Sequence, residues 1–477
     1  MSTPLKRNLS RSVFASLAAL SGVLVCGPSQ AVSLSQNGEG QVLIYPYYTV
    51  RGGNDSYLSV LNSTDQAKVL IVRLRESRNG REVQALRLFL AARDQWTAGI
   101  TATAEGAKLF SNDQSCTTPA IPAAGVPLSN ARFNSTTLTP GLVSSGGDGA
   151  GTELDRTREG YIEIIELGVI TDAALLANLS PSPSPVGGGA SCPQPLLDAD
   201  RGPQAGDRAL GAPSGGLSGS GTLINVLSGT QYSYQPVVLE AFANVNLWSV
   251  EGPDLRAATP KVSLVLGKGR AITSTWFRGE DAVSAVLMRA SLINEYVMEP
   301  TTLSSTDWVV TMPTKHFYVP VAKALEDSTQ VLRSPFGVAF REEWGACDRM
   351  LSDDRMFTPD REGHFEGGVL VGVEPLYASI LCGEASVLSF GGNTQILKPA
   401  SPFPSREAVA PTNWNGWAEH LFDEPYQRLT SREGHVYHGL PAIGFMVHDF
   451  VNGDVNGLLS NYGGNFDHKY TTIIETN

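Results

Sequence analysis

Hydrophobic and polar residues alternate in four short segments near the start of the chain. The segments are rich in Val, Leu, Ile and Tyr and are separated by Gly, Asn, Asp and Ser; they cover residues 41–50, 57–62, 68–76 and 82–90. A period of two with turn formers between the segments predicts four consecutive β-strands. In the third segment Arg73 and Arg75 alternate with aliphatic residues, so we expect one face of this strand in a core and the other in water.

Local signals refine this prediction. Asn79-Gly80 tolerates the positive φ of a tight turn, so the third and fourth strands should form a hairpin. Pro46 cannot donate to a strand ladder, which predicts an edge strand or a bulge. Short antiparallel strands favour a mainly-β fold of one or two immunoglobulin-like β-sandwiches, with long loops and a few short helices. We expect Trp96 to be a core aromatic residue.

The first strand also suggests a mode of interaction. It lies near the N-terminus, is apolar and aromatic, and contains Pro46. An exposed edge offers unpaired N–H and C=O groups to another chain, so this strand could pair between molecules. In the alternative interpretation it closes its own sandwich.

The rest of the chain alternates between strand-like and loop-like composition. Further strands are predicted at 160–169, 223–227, 232–241, 308–312, 316–319, 369–373, 385–390, 442–451 and 469–474, and helices at 171–179 and 280–296. Residues 181–221 are rich in Pro, Gly and Ser and predict a linker or long loop. We therefore expect an N-terminal lobe at 32–180 and a C-terminal lobe at 222–477; alternatively, the late strands complete the first sheet.

The first 31 residues have the pattern of a secretory signal peptide. Lys6, Arg7 and Arg11 precede an apolar run, and Ser29-Gln30-Ala31 offers small residues for cleavage after Ala31. The run is too short to span a membrane and no second one follows, so no transmembrane segment is expected. Cys26 leaves lipidation as an alternative. The predicted location is the periplasm, the cell surface or the extracellular space.

Net charge argues against one class of partner. Cleavage after Ala31 removes three positive charges and no acidic ones, which changes the net charge from −12 to −15. Binding to nucleic acid depends on basic patches, so we expect no nucleic-acid partner.

Four cysteines remain after the predicted cleavage, and an even number in an exported chain predicts disulfide bonds. Three pairings are possible. We predict Cys116–Cys192 and Cys347–Cys382, because each pair brackets a loop-rich region within one half. No Cys-x-x-Cys arm is present, which disfavours a zinc site.

Four segments carry a resemblance to a known family. They are the Tyr-Pro-Tyr-Tyr-Thr-Val run within 41–50, Arg-Glu-Gly-Tyr-Ile-Glu at 158–163, Thr-Asp-Trp-Val-Val-Thr-Met-Pro-Thr-Lys at 306–315, and Gly-Leu-Pro-Ala-Ile-Gly-Phe at 439–445. On these segments the sequence resembles a family of secreted, largely uncharacterised bacterial β-rich proteins. The resemblance implies export and a β-rich architecture, and it brings no activity or catalytic residues.

No catalytic or cofactor-binding residue is predicted. The glycine-rich run at 216–221 lacks the Gly-x-Ser-x-Gly spacing of a nucleophile elbow and precedes no phosphate-binding Lys-Ser/Thr pair. We interpret it as a flexible loop.

A metal site is a weak alternative in the last stretch of the chain. The candidate ligands are His435 and His438 for zinc or copper, and Asp449, Asn452, Asp454 and Asn456 for calcium. The same residues suit ordinary strands and turns, so no cofactor is predicted, although calcium stays open. Trp414 and Trp417 are of the kind that stack on sugars, but core or interface packing is the simpler interpretation.

These observations favour an exported, non-enzymatic structural or interaction protein of the cell surface or an extracellular assembly. Its expected partners are other proteins or further copies of itself. The alternative is a secreted enzyme or carbohydrate-binding protein with a site in the C-terminal lobe.

Overall fold

The computed structural model describes residues 30–133, 137–139, 142–143, 151–179, 209–267, 269–319, 332–337, 348–349, 356–364, 379–391, 396–398, 408–409 and 413–476. Within these residues the fold is mainly β and consists of several antiparallel sheets, which confirms the predicted sandwich-type class. The immunoglobulin-like detail stays a prediction. Residues 1–29 of the predicted signal peptide, most of the predicted linker and the predicted strand at 369–373 lie outside the described residues.

The strands of the first half are β1 Ser33–Leu34, β2 Val42–Thr49, β3 Asn54–Asn62, β4 Lys68–Glu76, β5 Glu82–Leu90, β6 Gln95–Ala102, β7 Ala107–Phe110, β8 Cys116–Thr118, β9 Val126–Pro127, β10 Thr137–Thr139, β11 Leu142–Val143, β12 Glu159–Ile170, β13 Leu210–Gly211, β14 Leu217–Asn225, β15 Thr230–Tyr234 and β16 Val237–Glu240.

The strands of the second half are β17 Val262–Gly267, β18 Arg270–Thr275, β19 Met288–Arg289, β20 Ser291–Val297, β21 Ser305–Thr311, β22 Asp348–Arg349, β23 Met356–Phe357, β24 Ser379–Leu381, β25 Ala385–Phe390, β26 Ala408–Val409, β27 Asn415–Leu421, β28 Arg428–Thr430, β29 Val436–His438, β30 Leu440–Pro441, β31 Ile443–Val455, β32 Leu458–Asp467, β33 Lys469–Thr471 and β34 Ile474–Glu475. The α-helices are α1 Ala173–Asn178 and α2 Gly279–Leu287, and short 3-10 helices cover Arg51–Gly53, Leu154–Arg158, Leu255–Ala257, Pro300–Thr302 and Lys315–Phe317. Among the described helices none could cross a bilayer, since α1 and α2 run for six and nine residues.

The four predicted N-terminal strands are confirmed as β2 to β5. β4 and β5 form the predicted antiparallel hairpin. Pro46 lies at a bulge, because Tyr48 pairs with Gly160 while Tyr45 pairs with Ile162, which leaves two residues of β2 opposite one of β12. Trp96 is buried, as predicted for a core aromatic.

The first strand is not an edge, so the predicted pairing between chains through this strand is wrong. The first sheet has the order β1-β16-β2-β12-β4-β5-β8, and every residue of β2 is buried. Beyond the three-residue ladder with β16, side chains cover β2: Thr311 Oγ1 donates to the Pro46 carbonyl at 2.5 Å, and the Tyr234 hydroxyl donates to the Tyr47 carbonyl. The strand closes its own sheet, which was the alternative interpretation.

Both faces of the first sheet are buried at β2, β4 and β12, which overturns the expectation that one face of β4 lies in water. Every residue of β4 is buried, Arg73 and Arg75 included. One face packs on the second sheet, of order β15-β14-β3-β6-β7-β9, where the Tyr45 hydroxyl donates to the Ser59 carbonyl at 2.6 Å. The arginine face is covered by residues from the second half.

The glycine-rich run at 216–221 is also placed differently from its prediction as a flexible loop. It lies largely in β14, which pairs with both β3 and β15. A Cβ atom on Gly219 would lie 2.1 Å from the Tyr45 hydroxyl oxygen, and one on Gly221 would lie 2.3 Å from the Tyr234 ring. The glycines therefore make room for two core tyrosines, a tertiary requirement that composition does not report.

The boundary predicted at residue 222 does not match the sheets. β14, β15 and β16 belong to the two N-terminal sheets, whereas β20 and the later strands form sheets of their own, of order β23-β27-β20-β33, β26-β25-β21-β31-β32 and β28-β29-β34. The two parts touch through a stacked pair of rings, Tyr234 and Phe445, with centroids 4.7 Å apart. The division into two lobes stays a prediction.

Two predicted elements of the second half differ from the structure. The helix predicted over 280–296 stops at Leu287, and the segment continues as β20. The strand predicted at 316–319 is replaced by the 3-10 helix Lys315–Phe317. Lys315 determines this turn, because its buried ammonium donates to the carbonyl oxygens of Leu381, Cys382 and Gly383 at 2.9, 3.3 and 3.2 Å.

The cysteines are consistent with an oxidised chain. Cys116 and Cys382 are disulfide-bonded, whereas Cys192 and Cys347 lie outside the described residues. Asp348 pairs with Leu381, the residue before Cys382. Both pairings stay predictions.

Replacing Gly160 by Ala should destabilise the fold. An added Cβ would lie 1.8 Å from the Arg75 carbonyl oxygen, a backbone atom of β4 that cannot move aside. Overpacking of this kind costs about 1–3 kcal/mol or more. Urea unfolding of Gly160→Ala measures the loss. Gly267→Ala is the matched control, since this strand glycine has no atom within 4 Å of an added Cβ; equal effects in the two variants would contradict the packing argument.

Candidate functional site

The hairpin of β31 and β32 presents an aromatic surface to solvent. Tyr462 and Phe466 of β32 are 60% and 50% exposed, and Phe450 lies opposite Tyr462 on β31. The His448 ring contacts the rings of Phe450 and Phe466, with centroids 5.2 and 5.4 Å apart. We call these four side chains and the two strands that carry them the aromatic hairpin.

Period-two alternation explains why these rings share a face. On β31 the residues Phe445, Val447 and Asp449 point inward and are buried, so His448 and Phe450 point the other way. A two-residue loop of Asn456 and Gly457, with φ of 57° and 83°, joins Val455 to Leu458. Positive φ at both loop residues is the signature of a tight hairpin turn, for which Asn-Gly is favoured.

Partial burial keeps the His448 ring of the aromatic hairpin neutral near pH 7. Burial lowers the pKa of His448 below its ordinary value, although Glu295 and Asp449 oppose the shift. The imidazole is therefore neutral at pH 7. An apolar, uncharged surface of aromatic rings is suited to contact with another macromolecule or a sugar ring, and not to acid–base chemistry.

The structure places the predicted calcium ligands along this same hairpin. Asp449 is buried, and its carboxylate accepts hydrogen bonds from the backbone N–H and the hydroxyl of Ser305 at 3.0 and 2.7 Å. Burial raises the pKa of Asp449 above its ordinary value, an effect that the Ser305 bonds oppose. Asn452 lies within a register shift of the ladder between Val451 and Asp454, and Asn456 forms the turn. These positions are those of a bulged hairpin.

His435 and His438 have separate partners. His435 Nδ1 lies 2.9 Å from the Ser274 hydroxyl, and His438 Nε2 lies 3.2 Å from the Glu475 carboxylate. No group of three or more His, Cys, Asp or Glu side chains suited to a metal ion occurs in the part of the chain that the structure describes.

A second cluster of polar residues is buried where the two halves meet. Glu384 accepts a hydrogen bond from the Tyr161 hydroxyl at 2.5 Å and another from the His316 backbone N–H at 2.5 Å, and it lies 2.7 Å from His316 Nδ1. Burial, together with the Glu384 charge, raises the pKa of Tyr161 well above its ordinary value, so the phenol remains a donor. His316 Nε2 is buried without a hydrogen-bond partner among the described residues.

A carboxylate-bound imidazole is also the arrangement of a general base. Here the three side chains link β12 of the first sheet to the segment that follows β21, and the His316 side chain is only 12% exposed. The cluster therefore links the two halves through buried hydrogen bonds.

The arginines of β4 complete this buried polar layer. Arg75 Nε lies 3.0 Å from Glu163 of β12, and Arg73 Nε lies 2.7 Å from Glu82 of β5. Asp254 approaches Arg75 at 3.8 Å from the second half. Although burial alone would raise the pKa of Glu82, the charges of Arg73 and Arg75 lower it, so this carboxylate is ionised at neutral pH.

The four segments that carry the family resemblance converge in space. They correspond to β2, the start of β12, β21 with its following turn, and the start of β31. β2 pairs with β12 and β21 pairs with β31. Thr311 bonds to Pro46, and the Tyr161 hydroxyl lies 3.4 Å from the Pro313 carbonyl.

Sequence reasoning missed the aromatic hairpin and the Tyr161–Glu384–His316 cluster. The sequence does contain a signal for the hairpin, because the turn-forming pair Asn456-Gly457 lies between two strand-like runs that contain Phe450 and Tyr462. The sequence contains no such signal for the cluster, because His316 and Tyr161 lie 68 and 223 positions from Glu384 in the chain. Two tryptophans are candidates for sugar stacking. Trp414 is 54% exposed, whereas Trp417 packs edge-on against Phe357.

Comparisons with protein-family models, curated proteins and solved structures found no match. The resemblance to a secreted bacterial family therefore stays a prediction that rests on the four segments.

Proposed function

We propose that the protein is an exported, non-enzymatic interaction protein of the cell surface or an extracellular assembly, and that the aromatic hairpin is its binding surface. The observation that carries this proposal is the exposure of Tyr462 and Phe466 on a strand whose residues 458–466 are uncharged, in a chain of net charge −12. Aromatic side chains are enriched in protein interfaces, and large exposed apolar patches mark interaction sites.

Export is supported by two further observations. Residues 1–31 have the charge and hydropathy pattern of a signal peptide, and Cys116 and Cys382 are disulfide-bonded, as is typical of proteins in oxidising compartments such as the periplasm or the exterior. The predicted partners are proteins, including further copies of this chain.

Fractionation of cells that produce the full chain tests the proposal. The wild type is compared with Tyr462→Ala/Phe466→Ala and with Phe277→Ala, a control that removes another exposed aromatic, 75% exposed. All three should leave the cytoplasm. The wild type and the control should sediment with the envelope or with extracellular assemblies, whereas the hairpin variant should remain in the soluble exported fraction. Retention in the cytoplasm, or an unchanged distribution of the hairpin variant, would contradict the proposal.

A carbohydrate-binding protein, with or without enzymatic activity, is the second candidate. It is favoured by Trp414, whose half-exposed indole adjoins Asn415 and, through the Asn415 amide at 3.3 Å, the Glu299 carboxylate. Exposed indoles next to amides and carboxylates can stack on sugar rings while the polar groups bind hydroxyls. Affinity electrophoresis in soluble polysaccharides distinguishes the candidates: retardation of the wild type but not of Trp414→Ala would favour this one.

A further inference from the structure

β32 is an edge strand without the usual protection. It is ten residues long and closes the sheet β26-β25-β21-β31-β32, and β31 is its one ladder partner in the described residues. Natural edge strands are normally blocked by charged residues, proline or short length. From residue 458 to residue 466 this strand has no charged residue and no proline.

The two faces of β32 differ in their surroundings. One face packs on the N-terminal half, where an added Cβ on Gly463 would lie 2.5 Å from the Tyr232 ring and the Asn461 amide donates to the Ser228 carbonyl at 2.7 Å. The opposite face is the exposed side of the aromatic hairpin. These contacts fix the strand in place, so its outer edge is a preformed template for another strand.

The free part of the edge has a defined end. The side-chain amide of Asn294 approaches the carbonyl oxygens of Phe466 and Asp467 at 3.3 and 3.4 Å. No side-chain or backbone group among the described residues makes a comparable contact with the backbone at 460–465 from outside β31. Strand addition is therefore confined to residues 458–465.

Charge and symmetry select the occupant of this edge. The chain is acidic overall, but residues 458–466 of this edge carry no charge, so two copies can meet here without like-charge repulsion between the paired strands. Two identical edges related by a two-fold axis pair antiparallel and form a closed, isologous interface. With the axis at Tyr462, Gly463 and Gly464 of one copy face Asn461 and Ser460 of the other, and the two Tyr462 rings form a cross-strand aromatic pair.

We propose that two copies of this chain associate through β32, in antiparallel register with Tyr462 at the two-fold axis. This inference rests on the proposed function, because it names the partner of the aromatic hairpin as a second copy. The five strands β26-β25-β21-β31-β32 end at the open β32 edge in each copy. Pairing joins the two five-stranded sheets into one sheet of ten strands that is continuous across the dimer.

Light scattering and cross-linking of the purified mature chain test the proposal. The wild type should show a concentration-dependent dimer. Tyr462→Lys places like charges opposite each other and should weaken association about tenfold or more, without a change in the circular dichroism spectrum. Tyr462→Cys should form an intermolecular disulfide under mild oxidation. Leu266→Lys and Leu266→Cys are the matched controls, since Leu266 is 58% exposed on β17, itself a strand of a two-stranded sheet.

The outcomes separate this inference from the proposed function. If Tyr462→Lys misfolds, Ser460→Lys replaces it, because Ser460 faces Gly464 of the second copy in the same register. A wild type that is monomeric at all concentrations, or a dimer that neither lysine variant weakens, overturns the β32 dimer. Envelope association that still depends on Tyr462 and Phe466 would then leave the proposed function standing with a different partner.

Discussion

Glu166→Gln should lower the free energy of unfolding by about 3–5 kcal/mol, because it leaves a buried lysine without its counter-ion. Lys68 and Glu166 are both 0% exposed, and Lys68 Nζ lies 2.8 Å from the Glu166 carboxylate. The carboxylate also accepts hydrogen bonds from the backbone N–H groups of Ser214 and Gly215 at 2.9 and 2.8 Å. Glutamine removes the charge and retains one of the two acceptor oxygens, while its NH2 group takes the place of the other. Urea unfolding at neutral pH measures the change.

The double variant Lys68→Met/Glu166→Gln is the control for this prediction. It removes both charges and keeps an amide oxygen near Ser214 and Gly215, so most of the lost stability should return. If the single variant loses no more than about 1 kcal/mol, the pair behaves like an exposed salt bridge and the argument from burial is wrong.

Acidification should destabilise the protein through His468. Burial lowers the pKa of this histidine to about 4, against an ordinary value of about 6.5. Its Nε2 donates to the Val309 carbonyl at 2.9 Å and its Nδ1 accepts from the Asn294 amide at 3.2 Å, a pattern that requires the neutral ring.

The direction of this pH dependence follows from how the folded and the unfolded chain bind protons at His468. Between pH 6.5 and 4 the unfolded chain binds a proton at His468 that the folded chain does not, so the free energy of unfolding falls as the pH falls. The total loss over this window is about 3 kcal/mol, and it is absent above pH 7.

Urea unfolding at a series of pH values measures this loss in the wild type and in His468→Gln. Glutamine can form both hydrogen bonds but does not titrate, and the carboxylates that titrate in the same range are common to both proteins. On acidification the wild type should therefore lose more of its free energy of unfolding than His468→Gln does. A gap that is independent of pH would show that His468 is not the titrating group.

Much of the secondary structure could be predicted from the sequence. The boundaries of β4, β5 and β25 coincide with the predicted ones, and β12 differs by one residue at each end. Strict alternation and Gly- or Asn-containing turns are local properties, and both are written in neighbouring residues. The predicted helix at 171–179 is also present as α1, where the Asp172 side chain caps the first turn by accepting from two backbone N–H groups.

The candidate site could not be predicted in the same way. Alternation separates Tyr462 and Phe466 from Asn461 and Gly463, but it does not say which of the two faces another sheet will cover. The contact between Tyr232 and Gly463, which brings together residues more than two hundred positions apart, decides that Tyr462 is the exposed one.

The sequence by itself determined that this chain is built largely of short antiparallel strands, where several of those strands begin and end, and that its charge is acidic. Only the tertiary structure decided that Arg75 is buried, because its counter-ions Glu163 and Asp254 come from a distant strand and a distant loop. It likewise decided that β2 is central and β32 is an edge. Strand order depends on non-local pairing, and the same alternating pattern is compatible with either position in a sheet.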